Sequence, residues 1–541
     1  MSEEIQRGIS RRGFLAGSAA GLTGLVGAGI LSGCGSPNNS AGTKSEEGTA
    51  ELKQAEETLS YDAVVLGSGA AGVMAAYEIA KAGAGSVLMV TKSGNATDSN
   101  YNEITGTAAV ETSYTKEAGE TYTVDDLYQR MISFAHWTVN ARLLRNCVEL
   151  LPSNIDVLNE FGVEVSLLGD RYNIGFVEVH GFVTTNKGEP SNAYLESLGV
   201  EIMYGTSGTH ILMDGDRAVG VQAEDKNGKV IDITAKAVCV ATGGYIANEE
   251  MMKEVFGDMA VVNMGSRNNT GDGERMVLEV GGFRERISGL GMNDIYGMSE
   301  KAAVQSVFSS NPFMQLAFYG GLLVDERGQR FMNEYMLAQE PMAGGGDATM
   351  HVARYHAIFS ENVVNAMKEA SYYANIGSPA VWTSAQTMFS QPIPDFETNL
   401  EAALEEGWCL KGSSIADLAE QANLAGLEAT VTEYDEMVAA GKDTLFNKRI
   451  ELLQPIEDGS TNYYLFEYNP SAFNSFGGPR TDDHCRVLTA SFDVIPGLYM
   501  AGVENGSLYS SPYYDVGGTC SGLALASGRV AGKDMAEYIT A

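Results

Sequence analysis

A glycine-rich turn near the start of the chain is the first pattern in this sequence of 541 residues that could do chemistry. The turn consists of Gly67, Ser68, Gly69, Ala70, Ala71 and Gly72, between an apolar run over Tyr61–Leu66 and a helical pattern over Val73–Ala82. In this setting Gly67 allows a tight turn, Gly69 lets a pyrophosphate approach the backbone, and Gly72 lets helix and strand pack closely. The amides at the helix N-terminus then face the phosphates. The spacing predicts a dinucleotide-binding site.

A second apolar strand, Ser86–Val90, follows at the distance expected for a βαβ unit. The carboxylate that usually ends this strand and binds a ribose is replaced by Thr91, with Lys92 next to it. A hydroxyl group must therefore do what a carboxylate normally does.

The composition limits the elements that can hold this site. The chain has 35 basic and 70 acidic residues, and its net charge of −35 argues against nucleic-acid binding. Its six cysteines contain no CxxC pair, so neither a zinc finger nor an attached haem is predicted, and no metal site is expected. With 63 glycines, 13 prolines and 44% hydrophobic residues, the chain is predicted to be a globular α/β protein of two or three domains.

The first 34 residues read as an export signal. Arg11 and Arg12 precede an apolar, glycine-rich stretch over Ala16–Ile30 that ends in Leu31-Ser32-Gly33-Cys34. This order resembles a twin-arginine signal with a lipobox, which predicts a lipid anchor at Cys34 and a membrane lipoprotein facing outward. Residues 35–59 are predicted to be a flexible tether. No other apolar run reaches 18 residues.

Five further segments carry a family resemblance. They read AKAVCVATGG at 235–244, TGDG at 270–273, RFMNE at 330–334, GKDTLF at 441–446 and IPGLYMAG at 495–502. From about Tyr61 to Tyr538 the chain resembles the FAD-dependent fumarate reductase and succinate dehydrogenase flavoprotein superfamily. It is similar to the flavocytochrome-c-like branch, with urocanate reductases and 3-ketosteroid dehydrogenases, and in its exported form to cardiac glycoside reductase-like flavoproteins.

This resemblance implies an α/β fold in which a Rossmann-like FAD-binding domain is split in sequence by an inserted α+β capping domain. The first part of the FAD-binding domain is expected at 60–295, the cap at 296–475 and the second part at 476–541. Within the cap, one helix is predicted over Ile415–Ala440.

The resemblance also implies FAD as the cofactor. Succinate dehydrogenases attach FAD through a histidine near Thr97–Asn100, and no histidine occurs there, so the FAD is expected to be non-covalent. The amides at the start of a C-terminal helix, after Gly517, are expected to face the flavin ring. The expected cofactor-binding residues are Gly67, Ser68, Gly69, Ala70, Ala71, Gly72, Thr91, Lys92, Ser99, Gly106, Ala241, Thr242, Gly243, Asp272, Gly502, Glu504, Gly518, Cys520 and Ser521.

The family's charged substrate cage is missing from this sequence. Aligned without gaps around Arg330, the Thr-Glu pair and its arginine fall on Phe313, Met314 and Ala317, and the proton-donating arginine falls on Ala338. The histidine and the last arginine fall on Asn474 and Asp515. A pocket without cations cannot hold a dicarboxylate, because unpaired buried carboxylates cost several kcal/mol each. Fumarate and succinate are therefore poor candidates.

Aromatic and apolar residues are expected to line the substrate pocket instead. They are Phe313, Met314, Tyr319, Tyr335, Tyr513 and Tyr514. Such a lining suits a bulky, mostly uncharged unsaturated molecule. The alternative is that these side chains only fill a core between the cap and the FAD-binding domain. Tyr513, Tyr335 and Tyr514 are the candidate catalytic residues, and Tyr513 resembles a tyrosine of the ketosteroid dehydrogenases.

The function that follows is a reductase in which N5 of reduced FAD delivers hydride to an activated C=C bond. Electrons are expected from a membrane cytochrome or a quinol, because the sequence encodes neither haem attachment nor a second dinucleotide unit. Two alternatives stay open: the reverse desaturation of a steroid-like ring, and a non-catalytic flavin lipoprotein or electron carrier.

Overall fold

A computed structural model describes residues 52–168, 175–286, 288–292, 298–304, 311–339, 344–370 and 392–541. The predicted signal at 1–34, with Cys34, and the predicted tether up to residue 51 lie outside the described residues. The tether prediction is wrong at its C-terminal end, because Glu57–Ser60 is a strand that pairs with Val230–Thr234. Leu52–Ala541 forms one compact unit. Within the described part, no helix combines the length and the apolar character needed to cross a membrane.

The described residues of 52–292 and 471–541, called the cofactor half below, are centred on a six-stranded sheet. Its strands, in spatial order, are Arg486–Leu488, Val494–Met500, Ala237–Val240, Ala63–Leu66, Val87–Thr91 and Glu201–Tyr204. Every neighbouring pair is parallel except the first, which is antiparallel. Ala63–Leu66 and Ala237–Val240 are buried throughout, as their unbroken apolar sequences require. The carboxyl ends of the parallel strands therefore meet at one edge of the sheet.

The C-terminal helix, Thr519–Thr540, packs directly on the helix of the glycine-rich turn, Ala70–Lys81. A Cβ atom at Gly528 would lie 2.1 Å from the carbonyl oxygen of Ala71, so only glycine permits this approach. The contact places the N-terminal end of the last helix beside the glycine-rich turn, although nearly 450 residues separate them in sequence.

Two smaller sheets and several helices complete this half. One sheet has the order Glu57–Ser60, Val230–Thr234, Arg217–Asp225 and Thr206–Asp214; the other has the order Gly106–Ala108, Val179–Phe182 and Val165–Leu167. The helices are Asn100–Glu103, Ser113–Glu117, Val124–Phe134, Ala141–Glu160, Gly188–Ser197, Glu249–Phe256 and Asp272–Glu279.

The cap is built on a separate antiparallel sheet. Its strands lie in the order Leu322–Asp325, Tyr355–Ser360, Tyr463–Tyr468 and Cys409–Gly412. Its helices are Pro312–Tyr319 and Ile450–Leu452, both 3₁₀, with Tyr335–Gln339, Gly344–Thr349, Glu361–Ala366, Phe396–Glu405, Ile415–Ala422 and Leu427–Ala440. A small sheet of Val262–Asn263, Ser471–Phe476 and Gly289–Met292 joins strands from before and after the cap. The predicted fold class, an α/β domain split by an inserted cap, is confirmed.

The single cap helix predicted over Ile415–Ala440 is wrong. Two helices, Ile415–Ala422 and Leu427–Ala440, occupy this range. Asn423 ends the first in a left-handed conformation with φ 55°, which asparagine tolerates better than most residues. The amide of Gly426 donates to the carbonyl of Arg327 at 2.9 Å, which ties the break to a neighbouring turn.

Candidate cofactor site

A cleft with about 960 Å³ of empty space, which includes open solvent, lies at the carboxyl edge of the central sheet. The expected cofactor residues on its wall are Gly67, Ser68, Gly69, Ala70, Ala71, Thr91, Lys92, Ser99, Ala241, Thr242, Gly243, Asp272, Gly502, Cys520 and Ser521. The parallel topology thus brings together residues from both ends of the chain.

The three glycines of the turn have different roles. Gly67 has a φ of 105°, and a Cβ atom there would lie 2.1 Å from the carbonyl oxygen of Ala241. A Cβ atom at Gly72 would lie 2.0 Å from the carbonyl oxygen of Gly67. Gly69 instead faces open space, with no protein atom within 4 Å of a Cβ placed there. Gly67 and Gly72 shape the turn, whereas Gly69 leaves room for a ligand such as a pyrophosphate.

The end of the second strand is neutral at Thr91 and charged at Lys92. The Thr91 hydroxyl oxygen accepts hydrogen bonds from the Ser68 hydroxyl at 3.0 Å and from the Ser93 amide at 3.3 Å. The Lys92 Nζ donates to the Thr270 hydroxyl at 2.6 Å and to the Asp272 carboxylate at 2.7 Å. The charge of Lys92 is therefore balanced within the wall.

Glu504 supports the site from behind and does not line the cleft, which corrects its expected direct contact with the cofactor. Its carboxylate accepts from the Thr242 hydroxyl at 2.8 Å and from the Gly243 amide at 3.0 Å. Burial raises the pKa of Glu504 to about 8. Its role is to hold the turn that follows Ala237–Val240.

Three glycines expected to bind the cofactor also do not line the cleft. Each of them is instead required by close packing against protein atoms. Gly72 packs on Gly67, as described above. A Cβ atom at Gly106 would lie 2.7 Å from the Val179 side chain. A Cβ atom at Gly518 would lie 2.5 Å from the amide nitrogen of Ala108. These positions shape the backbone around the cleft.

Asn474, expected to contact substrate, lies on the wall of the cleft within a neutral hydrogen-bond network. Its Oδ1 accepts from Asn100 and, at 3.4 Å, from Asn269, while its Nδ2 donates to the Cys520 sulfur at 3.5 Å. Burial raises the pKa of Cys520 to about 12, so the thiol is protonated at neutral pH. The network places uncharged groups at the start of the C-terminal helix.

Tyr513 contacts the same helix terminus. Its hydroxyl oxygen accepts from the Cys520 amide at 2.6 Å. Its ring stacks on Phe476 with ring centroids 5.3 Å apart, and Phe476 stacks on Tyr509 at 4.8 Å. These contacts fix the hydroxyl next to a residue that lines the cleft.

None of the three tyrosine candidates is among the described residues that line the cleft, and Tyr513 itself is buried. Tyr514 is fully buried and donates its hydroxyl hydrogen to the carbonyl of Leu508 at 2.9 Å, and its catalytic role stays a prediction. The Tyr335 hydroxyl accepts from Arg449 at 3.2 Å, and that guanidinium lies 5.2 Å above the Tyr335 ring. Tyr335 is thus held on the cap.

The expectation that Phe313, Met314 and Ala317 line a substrate pocket is corrected by their burial. All three are inaccessible to solvent and belong to the hydrophobic core of the cap. Phe313 stacks on Phe466 with centroids 5.6 Å apart and meets Phe396 edge-on at 5.2 Å. These contacts are core packing.

Three more positions that the sequence analysis assigned to the substrate pocket have separate outcomes. Asp515, expected in the substrate pocket, is ion-paired with Arg130 at 2.8 Å. The side chains of Tyr319 and Ala338 lie outside the described residues.

Several residues on the wall were not anticipated from the sequence. They are Ser93, Asp98, Asn100, Thr206, Ser207, Gly208, Ser266, Asn268 and Asn269. The available signal was the run of small polar residues that precedes Thr270-Gly271-Asp272-Gly273. Within the described part of the chain, no group of His, Cys, Asp or Glu side chains is arranged to hold a metal ion.

The sequence pattern of the FAD binding domain family matches residues 62–520. The chain belongs to this family. It is 26% identical to the vinyl phenol reductase of Lactiplantibacillus plantarum, over 88% of this chain and 97% of that protein. It is 25% identical to the digoxin reductase of Eggerthella lenta, over 98% of each chain. Its fold matches that of a flavocytochrome c3 fumarate reductase in the open conformation with a TM-score of 0.64, at 20% identity, over 90% of this chain and 79% of the other.

The predicted superfamily and cofactor are therefore confirmed, and the protein is an FAD-dependent oxidoreductase. The cleft fits the cofactor, because the open space at Gly69 leaves room for the pyrophosphate at a helix N-terminus. None of the described residues that line the cleft is a histidine to which a flavin could be attached.

Proposed function

We propose that the protein is a reductase that adds hydride to the activated C=C bond of a bulky, mostly uncharged substrate. This reaction class is supported by the similarity of the chain to a vinyl phenol reductase and a digoxin reductase. When bound, FAD supplies the hydride from its reduced ring.

The observation that carries this proposal is the neutrality of the cleft wall near the C-terminal helix. Among the described residues that line the cleft, Lys92 is the one Lys or Arg, and Asp272 pairs with it. Asn474 presents a neutral amide where the resemblance to fumarate reductases implies a histidine, and the neighbouring Cys520 thiol is also neutral. A dicarboxylate bound here would lack charge-assisted hydrogen bonds worth about 1.5–3 kcal/mol each.

The chain's own residues have three tasks in this reaction. The Gly67–Gly72 turn and the Thr242-Gly243 turn hold the cofactor. The N-terminal end of the helix Thr519–Thr540, where Cys520 and Ser521 line the cleft, favours negative charge there. In this proposal Tyr513, whose hydroxyl oxygen accepts from the Cys520 amide, donates its hydroxyl hydrogen to a substrate carbonyl group.

The electrons come from outside the chain in this proposal, from a membrane cytochrome or a quinol. The twin-arginine pattern and Cys34 support export of the folded holoprotein and anchoring on the outer face of the membrane. An anchored enzyme would meet such a donor at the membrane surface.

An anaerobic assay with reduced methyl viologen tests the function. We expect the purified holoprotein to reoxidise the dye with enones, unsaturated lactones or vinyl phenols, and to turn over fumarate at less than a hundredth of the best rate. Efficient fumarate turnover would overturn the substrate class. Failure with every alkene would favour the electron-carrier alternative.

The reverse reaction is a second candidate, since Tyr513 lies four residues before Gly517 as in the resemblance to ketosteroid dehydrogenases. Faster oxidation of saturated ring ketones with an acceptor dye than reduction of the matching enones would favour this dehydrogenase.

A further inference from the structure

A half-buried aspartate near Tyr513, with one carboxyl oxygen buried, has no part in the site described so far. Asp347 lies on the short cap helix Gly344–Thr349. This helix packs tightly against the helix Tyr335–Gln339, because a Cβ atom at Gly345 would lie 2.4 Å from the carbonyl oxygen of Met336. Asp347 is thereby fixed on the cap, while Tyr513 belongs to the cofactor half.

The surroundings of the Asp347 carboxyl do not stabilise a negative charge. Its Oδ2 is buried and has no hydrogen-bond partner within the described chain. None of the ion pairs among the described residues includes it, and Asp515, two residues beyond Tyr513, is already paired with Arg130. Among the described residues, the backbone amide of Tyr513 donates a hydrogen bond to the carboxyl. Ionising a buried carboxyl without a cation is costly, so this environment favours the protonated acid.

The pKa of the Asp347 carboxyl is therefore close to neutral pH. Burial raises the pKa of Asp347 to about 7, and the Tyr513 amide opposes part of this rise. Below that pH the group holds a proton, and a carboxylic acid whose pKa lies near the working pH is well suited to give it up.

We propose that Asp347 is the proton source of the reduction, an inference that rests on the proposed function. Its O–H bond breaks as a C–H bond forms at the alkene carbon next to the one that receives hydride from reduced FAD. The remaining carboxylate regains its proton from solvent. Tyr513 then acts on the carbonyl oxygen of the substrate, so the two residues have separate tasks. Asp347 thus serves as the proton donor, the role that the resemblance assigns to the position of Ala338, where alanine cannot donate a proton.

The first test measures the acid itself, independently of activity. In holoprotein labelled with ¹⁵N-tyrosine, the Tyr513 amide resonance should shift with a midpoint near pH 7 as Asp347 ionises. The shift should be absent in Asp347→Asn, which retains an oxygen acceptor for that amide. A Tyr513 amide that does not titrate between pH 5 and 9 in the wild type would overturn the proposal.

The second test follows the single-turnover oxidation of chemically reduced holoprotein by an enone. The wild-type rate should fall about tenfold per pH unit above pH 7, because the acid must be protonated. Asp347→Asn should react about 100-fold more slowly, without this alkaline decline. Tyr513→Phe should also be slower but should keep the decline. Glu401→Gln, an exposed cap carboxylate, is the control and should behave as the wild type.

The outcomes separate the two proposals. Wild-type turnover that Asp347→Asn retains would overturn the proton source alone. A wild type that oxidises with no alkene at any pH would overturn the proposed function, and the proton source with it.

Discussion

Gly67 and Gly69 are two positions apart and should respond oppositely to substitution. Gly69 has an ordinary φ of −76° and faces open space, so a side chain there meets the cofactor and not the protein. We expect Gly69→Val to fold with nearly unchanged thermal stability but to purify largely without FAD, because its side chain fills the space left for the pyrophosphate. The ratio of flavin to protein absorbance, with a thermal melt of the apoprotein, measures both.

Gly67→Ala is the contrasting variant, because its Cβ atom would overlap the Ala241 carbonyl. It should lower the melting temperature even without FAD. Full FAD binding by Gly69→Val would contradict the assignment of this space. Yellow colour that stays with the wild-type polypeptide after acid precipitation would contradict non-covalent attachment.

The roles of these two glycines could be predicted from the sequence, whereas the role of Phe313 could not. The turn was predictable because a fixed ligand and a fixed strand-helix geometry dictate which positions must lack a side chain. Phe313 was not, because an aromatic residue in an apolar segment suits a core and a ligand pocket equally well. Only the surrounding packing, here Phe396 and Phe466, decides between them.

Elements far apart in the cap are joined by two of the motifs that carried the family resemblance. Arg330 makes paired hydrogen bonds with Glu334 at 2.8 and 2.9 Å and with Asp443 at 2.9 and 3.2 Å. All three side chains are at most 2% exposed. The motifs thus connect the strand Leu322–Asp325 to the end of the helix Leu427–Ala440.

Arg330→Met should lower the free energy of unfolding by about 3–5 kcal/mol, because it removes the guanidinium that pairs with two buried carboxylates. Glu334 then keeps the Lys448 Nζ at 3.4 Å, and Asp443 keeps hydrogen bonds from backbone amides. Arg275→Met, which removes a surface pair with Glu279, should cost at most about 1 kcal/mol. Chemical denaturation of both variants measures the contrast. Equal losses would contradict a structural role for the Arg330 network.

The same network predicts how the variant responds to pH. Burial raises the pKa of Asp443, but hydrogen bonds from Arg330 and the amides of Lys448 and Phe446 outweigh it and bring the pKa below its ordinary value of 3.8. The stabilisation is therefore complete above pH 4 and is lost as the pH falls further. The stability difference between wild type and Arg330→Met should narrow below pH 4.

Strands that are buried on both faces could be predicted from the sequence. The end of a helix could not, where it depends on the backbone conformation of one residue. The strands Ala63–Leu66 and Ala237–Val240 were predictable from unbroken apolar runs. The break at Asn423 was not, because the Ile415–Ala440 segment is apolar at helical spacing throughout. Asn423 in a left-handed conformation overrides that pattern.

At the scale of the whole molecule, charge and location have to be reconciled. A net charge of −35 is repelled by anionic lipid headgroups, so electrostatics cannot hold this protein at a membrane. Retention there requires a hydrophobic anchor, and the sequence offers one candidate attachment point in Cys34 of the predicted lipobox. In this prediction, export depends on the Arg11-Arg12 pair and anchoring depends on Cys34.

Substituting these features one at a time should separate export from anchoring. Arg11→Lys with Arg12→Lys should leave FAD-loaded protein inside the cell, because the twin-arginine route requires the pair, whereas Cys34→Ala should still be exported but should appear in the soluble fraction outside the membrane. Fractionation with detection of the flavin measures both. Lys44→Arg, in the predicted tether, is the matched control and should be exported and anchored. Unchanged export of the paired lysine variant would contradict the twin-arginine interpretation, and membrane retention of Cys34→Ala would show that some other surface holds the protein despite its charge.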